Sequence, residues 1–457
     1  MADTIHLTFD GGTVVVTGAP AEQLAALPGC RFDERTGTYR AEGRSYRALV
    51  EHLRRHRIAY QDGARVFQPT PWPLRISRDP FPHQSEGLET WVRQGSRGVV
   101  VLPTGTGKTF LAILAIQRTA RPTLVVTPTI DLLNQWYGEL TVAFDVPVGL
   151  LGGGYFDLQP LTVAVYNSAY IHLEKWGNRY GLLIFDECHH LPGSSFMQAA
   201  QGSIAPFRLG LTATPERADG GDALLPELIG PIVYRKEIKQ LTGDFLADYH
   251  TERLYVELST EEAERYQKAR DIYRTFVAEN GITFNGPQGW QRFIQATCRS
   301  PEGRAAFLAY REQKQIAVAA PGKLHLLEKL LDIHAHDRVL VFTADNATVY
   351  QIARRFLVPA ITHQTKTKER QQILKRFHAG EYSVLVTSQV LNEGVDVPAA
   401  NVGIILSGTG SVTEHVQRLG RLLRKHGEKR ALLYEVVARG TAEEFTSERR
   451  RQHHAYQ

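Results

Sequence analysis

Apolar runs alternate with helix-spaced stretches through most of this 457-residue chain, and the places where the rhythm changes mark its divisions. In residues 1–66, Ile5-His-Leu-Thr-Phe9 and Thr13-Val-Val-Val-Thr17 flank Asp10-Gly11-Gly12, a hairpin signal, and Arg31-Phe32 and Thr38-Tyr39 flank a second turn at Thr36-Gly37. From Arg44 to Arg57 the apolar residues Tyr46, Leu49, Val50 and Leu53 share one helical face, while Arg44, Arg47, Arg54, Arg55 and Arg57 take the other. That basic face reads either as a solvated surface or as a phosphate-contacting one. Residues 67–82 carry Gln68-Pro-Thr-Pro-Trp-Pro73, Pro80 and Pro82, which continue neither helix nor ladder, and form a linker.

Between residues 83 and 243 the apolar runs 98–102, 123–127, 161–165, 182–185 and 208–211 alternate with helical patterns, which predicts a mainly parallel sheet covered by helices. Residues 244–320 break that rhythm. Ser259-Thr-Glu-Glu262 has capping-box spacing, and Ala263, Tyr266, Ala269, Tyr273 and Phe276 run down one face of the helix it starts. After the turn Asn285-Gly-Pro-Gln-Gly289 comes more helix bearing Trp290, Phe293, Phe307 and Tyr310, aromatics that serve either as core or as a base-stacking surface. From Pro321-Gly322 the alternation resumes over residues 321–457, with strands expected at 338–343, 383–387, 402–407 and 431–437 and helices at 347–357, 367–378 and 412–424. The fold class is thus α/β: two parallel-sheet domains, a small α+β N-terminal domain and a helical insertion.

Bulk composition changes this picture little. A formal charge of +5 leans only weakly toward a polyanionic partner. Three cysteines, Cys30, Cys188 and Cys298, are too few and too scattered for a disulfide framework or a zinc site. No apolar run approaches the roughly 18 residues of a membrane helix, so no membrane partner is expected and the protein reads as cytoplasmic. The pairs His189-His190 and His453-His454 lack the helical spacing and carboxylate company of a metal centre.

The chemistry lies at the strand ends. The run ending at Leu102 breaks into Pro103-Thr104-Gly105-Thr106-Gly107-Lys108-Thr109 and then into an apolar helix, the strand, loop and helix of a phosphate site. Leu102 occupies the place where the strict G-x-x-x-x-G-K-[ST] pattern has glycine. Further on, Leu182-Leu-Ile-Phe185 ends in Asp186-Glu187, adjacent carboxylates of which one can hold Mg²⁺ and the other activate water. Lys108 is expected on the β/γ-phosphates of ATP, and Thr109 and Asp186 on Mg²⁺. Glu187 is expected to orient and deprotonate the attacking water.

Five segments in order, Pro103 to Thr109, Asp186-Glu-Cys-His189, Thr212-Ala-Thr214, Val395-Asp396-Val-Pro398 and Gln417-Arg-Leu-Gly-Arg-Leu-Leu-Arg424, resemble the ordered motifs of superfamily 2 helicases. Ser388 to Pro398 followed by Gln417 to Arg424, with His189-His190-Leu-Pro192 earlier, is similar to the XPB helicases, those of archaea and bacteria above all. The resemblance covers about residues 75–440. It implies two RecA-like motor domains and a 3′-5′ DNA helicase or translocase in DNA repair, of nucleotide-excision type with a transcription link, working in the prokaryotic cytosol and nucleoid. It further implies a forked or bubble-containing DNA substrate with single/double-strand junctions, and a separate companion nuclease. A double-strand translocase, an RNA helicase, or an ATPase-gated scaffold that recruits a nuclease are the competing readings.

Residue by residue, the resemblance puts Thr104, Gly105, Thr106 and Gly107 around the phosphates and Gln84 at the adenine. Asp396 joins the nucleotide site, and Gln417, Arg421 and Arg424 reach it from the second domain, the arginines as fingers. Phe81 stands where the family often has Arg. His189, Thr212 and Thr214 couple nucleotide state to the DNA strand, and Thr127, Asn167, Thr343 and Thr387 are expected at phosphate-backbone contacts. Arg217-Ala218-Asp219 occupies the place of an Arg-Glu-Asp element tied to strand opening, with its middle carboxylate missing. Residues 1–66 and 244–320 stand where the family has its damage-recognition and thumb elements.

Overall fold

The computed structural model describes residues 4–217, 219–241, 245, 248–284, 289–388, 400–407 and 430–451. The chain divides into two compact units, 1–102 with 107–236, and 103–106 with 237–457.

In the first unit, residues 5–62 form a five-stranded sheet in the order Arg31–Asp33, Thr38–Glu42, Thr13–Thr17, Ile5–Asp10, Tyr60–Asp62. The expected hairpin pairs Asp10 with Thr13 across the Gly11-Gly12 turn. Helix Tyr46–Arg55 closes one face of this sheet and buries Tyr46, Leu49, Val50 and Leu53. Ile204, from the neighbouring α/β part of the unit, belongs to the same apolar core. Gly12 N–H donates to Glu174 O at 2.9 Å. A Cβ on Gly43 would lie 3.0 Å from the backbone carbons of Gly202 and Ser203, so only glycine lets the two backbones meet this closely.

That docking uses part of the basic helical face. Arg44 pairs with Glu42 and with Glu227, and Arg47 Nη1 donates to Gly95 O at 2.6 Å and to Pro206 O at 3.2 Å. Helical spacing turns residues 44 and 47 toward the α/β part of the unit, and leaves Arg54, Arg55 and Arg57 exposed. Two of the five arginines read as a solvated or phosphate-contacting surface therefore hold the small sheet in place.

The α/β part of the first unit has eight strands in the order Ile232–Arg235, Arg97–Val101, Phe207–Thr212, Leu182–Asp186, Thr123–Thr127, Leu161–Val165, Gly149–Gly152, Tyr155–Phe156. All neighbours are parallel except the last pair, an antiparallel hairpin. The central strands are buried on both faces, which is why they read as unbroken apolar runs.

Among the described residues of the second unit six parallel strands run Asp248–Val256, Arg430–Ala438, Val402–Ile405, Val339–Phe342, Val384–Thr387, Ala360–Ile361. The stretch expected to be helical from residue 244 therefore opens with a nine-residue strand. Its charged residues, Asp248, Glu252 and Arg253, interrupt the alternation because the strand is at the sheet edge. Helices Thr260–Glu279, Gly289–Thr297 and Pro301–Ala319 follow, the first with its capping box made: Ser259 Oγ accepts from Glu262 N, and Glu262 Oε2 accepts from Ser259 N. Phe276 and Phe293 are buried with Tyr273, Phe307 and Tyr310 packed around them, so these aromatics are core. Trp290 stays 45% exposed while its ring lies 5.1 Å from that of Tyr310. No helix among the described residues is long and apolar enough to cross a membrane.

Candidate active site

The C-terminal ends of the parallel strands gather the polar segments of the first unit, as the alternation demands. Strand Arg97–Val101 leads through the loop to helix Lys108–Thr119. Gly105 has φ +87° and Gly107 φ +78°, so Gly107 enters the helix from the left-handed region. A Cβ there would also run into Gln84 Nε2. Thr106 Oγ1 donates to Pro103 O at 2.7 Å and Lys108 Nζ to Leu102 O at 3.1 Å, which ties the loop to itself. Thr104 and Thr109 are half-buried. The positive end of the helix, Lys108 and the Thr109 hydroxyl together form a cradle for phosphate.

Gln84 is fully buried at the foot of helix Pro82–Arg93. Its Oε1 accepts from Phe81 N at 2.9 Å and its Nε2 donates to Gly107 O at 3.1 Å, so it links that helix to the phosphate loop. Arg78, unmarked in the sequence, lays its guanidinium over the rings of Phe81 and Phe110 at 5.6 and 4.8 Å.

Asp186 ends a fully buried strand and is itself only 6% exposed. Its Oδ2 accepts from Trp136 Nε1 at 2.8 Å and its Oδ1 from Glu187 N at 3.0 Å. Burial, and then the adjacent Glu187 charge, push its pKa up to about 6, against the pull of the Trp136 bond and of Lys108. Glu187 sits at φ +45°, a conformation a β-substituted residue adopts only when its surroundings impose it. Among the described residues its buried Oε2 has no hydrogen-bond donor, and His189 Nδ1 lies 3.5 Å away. Two crowded carboxylates, one raised in pKa and the other with an unmet oxygen, are a donor set suited to a divalent cation. No group of three or more His, Cys, Asp or Glu able to hold a metal occurs among the described residues. Mg²⁺ asks for no more, because one or two protein oxygens, substrate phosphates and waters complete its octahedron.

Trp136 was invisible in the sequence, where it is one apolar residue of an amphipathic helix 50 positions before its partner. A buried indole N–H must find an acceptor, and it finds the carboxylate. Trp136→Phe should keep the ring and lose the bond. We expect the Mg²⁺ concentration for half-maximal ATP turnover to rise about 10-fold or more with little change in thermal stability; an unchanged Mg²⁺ titration would show that the indole only packs.

From Glu187 a chain of contacts runs along the strand ends. His189 Nδ1 is 3.0 Å from Thr212 Oγ1, which bonds Thr214 O at 3.1 Å and accepts from Thr214 N at 3.2 Å. The single Thr212 hydroxyl proton goes to Thr214 O, which assigns His189 Nδ1 as the donor toward Thr212. Arg217 donates to His189 O and chelates Asp219, with Nε to Oδ1 at 2.8 Å and Nη2 to Oδ2 at 2.6 Å. Arg217 and Gly221 N–H hold the Asp219 carboxyl well below the usual range. Ala218, between them, lies outside the described residues.

Thr127 is buried with its Oγ1 3.3 Å from Thr129 O. In the second unit Thr343 Oγ1 donates to Asp345 O at 2.8 Å, and Thr387 Oγ1 to Ser388 O at 3.1 Å. Each hydroxyl pins its own strand-end loop. Asn167 is exposed in the first turn of helix Tyr166–Trp176. Asp396, Gln417, Arg421 and Arg424 lie outside the described residues.

Residues 7–64 match the damage recognition domain of the xeroderma pigmentosum group B helicase, 77–217 the res subunit of type III restriction enzymes, and 322–426 the helicase conserved C-terminal domain. The DNA 3′-5′ translocase XPB2 of Sulfurisphaera tokodaii is 39% identical over 94% of this chain and 97% of its own length. The DNA 3′-5′ helicase XPB of Kineococcus radiotolerans is 32% identical over 82% of this chain and 61% of its own. That of Mycobacterium tuberculosis is 31% identical over 78% and 60%. The Hef helicase domain of Pyrococcus furiosus, 19% identical, shares the fold with a TM-score of 0.56 over 81% of this chain and 98% of its own. By a relative that spans nearly its whole length, and by an N-terminal domain of that family's own kind, the chain belongs to the XPB helicases.

Proposed function

We propose that the protein is an ATP-driven DNA translocase with 3′-5′ helicase activity in DNA repair. The observation that carries this reading is the contact chain from Glu187 through His189 to Thr212 and Thr214, which joins the water-activating carboxylate to the loop expected to respond to DNA. In the cycle we derive, Lys108 holds the β/γ-phosphates of ATP, and Asp186 and Thr109 hold Mg²⁺, which supplies positive charge to the phosphate oxygens when bound. Glu187 accepts a proton from the attacking water as its oxygen bonds the γ-phosphorus and the bond to ADP breaks. Protonation removes the negative charge facing His189, so the pull on its Nδ1–H shifts toward Thr212, and the Thr212–Thr214 loop registers the event. Gln84 keeps the phosphate loop aligned on the adenine side. Asp396, Gln417, Arg421 and Arg424 complete the site from the second domain, the arginines neutralising transition-state charge.

The DNA substrate in this reading is forked or bubble-containing, gripped through strand-end loops by backbone and by groups such as Asn167, with Thr127, Thr343 and Thr387 fixing those loops. Arg217 and Asp219 position His189 from behind. The opened strand is cut by a separate companion nuclease, as the family resemblance implies. ATP hydrolysis should rise with DNA, and the logarithm of DNA affinity should fall against log salt by about 0.7 per phosphate contacted on single strands. Turnover measured with single-stranded DNA, forked DNA and RNA of matched sequence tests this: equal stimulation by RNA favours an RNA helicase, and none by either favours a scaffold.

A further inference from the structure

On the side of the first unit away from the phosphate loop, four arginines converge on one cleft. Arg47 and Arg54 come from the helix of the small sheet, Arg65 from the segment that leaves it, and Arg121 from the turn before strand Thr123–Thr127. The cleft holds about 250 Å³, and Phe207, at the start of strand Phe207–Thr212, lines it too. It therefore opens at the N-terminal edge of the sheet, while Asp186 and Thr212 lie at the other end of their strands, roughly 15 Å along at about 3.3 Å per residue.

The charges in this cleft do not balance. Its one lining carboxylate, Glu51, is taken by Arg47 at 2.7 Å. Arg65 stands 4.0 Å from Asp62, at the limit of an ion pair, and Arg54 donates to the Tyr60 hydroxyl. Arg121 Nε is buried with no hydrogen-bond acceptor among the described residues. Burial and then the Arg65 charge destabilise its cationic form. The guanidinium planes are nevertheless held in place by ring faces: Arg121 lies 5.3 Å from Phe207 and 6.0 Å from Phe67, with Arg65 5.8 Å from Phe67. Guanidinium groups already fixed on aromatic faces lose little freedom on binding, and their donor forks fit phosphate oxygens in pairs.

We propose that this arginine cleft, shared by the small N-terminal sheet and the first motor sheet, is a phosphate-binding site separate from the ATP site. The phosphate is supplied either by the backbone of bound DNA or by a free small molecule. Arg65 and Arg121 are the residues that reach it, since Arg47 is committed to docking and Arg54 to Tyr60.

The test compares the full chain with its Arg65→Gln and Arg121→Gln variants, singly and together. Basal ATP turnover, which depends on Lys108 and Glu187, should be unchanged, and a loss of it would mark a folding defect. In one arm, anisotropy of a labelled duplex is followed across salt concentrations. Loss of a backbone contact should weaken binding about 5-fold or more at low salt and lower the slope of log affinity against log salt by about 0.9. In the other, inorganic phosphate is added at constant ionic strength, and it should raise the melting temperature of the parent but not of the double variant. A response in the first arm identifies DNA as the source, and one in the second alone identifies a free phosphate. Identical behaviour of parent and double variant in both arms overturns the proposal. Should Arg121→Gln fail to fold, Arg121→Lys with Arg65→Gln keeps the same readouts. Because basal turnover is read on the same preparations, failure of the cleft is distinguishable from failure of the ATPase reading.

Discussion

Glu187→Gln is expected to bind ATP and fail to turn it over, with kcat lower by about 10³-fold or more, within the range a positioned general base supplies. The amide keeps the shape and the φ +45° backbone but cannot take the proton from water, so ATP stays trapped on the enzyme. Lys108→Ala should act on the other half of the problem. It removes a charge-assisted bond to phosphate, about 2–3 kcal/mol, and so weakens ATP binding itself. Equilibrium nucleotide binding measured beside single-turnover hydrolysis separates the two, and near-normal turnover in Glu187→Gln would remove this residue from the chemistry. A pH signature accompanies them. Asp186, raised to about 6 before any cation arrives, should lose Mg²⁺ to protons as the pH falls below that value, so the Mg²⁺ requirement should climb on the acid side.

The second large effect is on stability. Arg208 is fully buried at the start of strand Phe207–Thr212, with its guanidinium donating to Leu228 O at 2.6 Å, Ser203 O at 2.8 Å and Ala205 O at 3.3 Å. Burial and the nearby Arg97 and Arg44 push its pKa far down, so carbonyl oxygens are its compensation. Arg208→Ala leaves those oxygens without their donor and opens a cavity, and should cost about 3–5 kcal/mol, the scale of a large buried truncation with unmet carbonyls. Arg208→Lys keeps the charge but reaches fewer acceptors, and should lose roughly half as much. Urea unfolding of the full chain and of each variant measures both. A loss under about 1 kcal/mol in Arg208→Ala would mean that water reaches the site and replaces the guanidinium.

The candidate site was legible as a grouping because its segments are contiguous. Pro103 to Thr109 and Asp186-Glu187 each place their groups within one loop, and buried parallel strands write themselves as apolar runs. The same holds for Thr212 to Thr214. What escaped was every contact between distant segments: the Trp136 indole on Asp186, the Arg208 fan of carbonyls, and Arg78 over two phenylalanines. Arg44 and Arg47 were misleading for a related reason, since periodicity places them on a polar face but cannot say that Glu227 and Pro206 lie opposite. Strand Asp248–Val256 was hidden because an edge strand carries charges that mask its alternation.

That edge strand also sets a timetable for synthesis. Asp248–Val256 hydrogen-bonds to Arg430–Ala438, its neighbour in the sheet and the last strand among the described residues. The first unit has its whole sheet once residue 235 has emerged. The second must hold a nine-residue ribbon unpaired while six helices and four further strands, counted among the described residues, appear. At about 5–20 residues per second that wait is on the order of ten to thirty seconds. A ribosome-bound chain thus carries the completed parallel sheet of its first unit long before the second sheet can pair its edge, and the open ribbon is where a nascent-chain chaperone should be found.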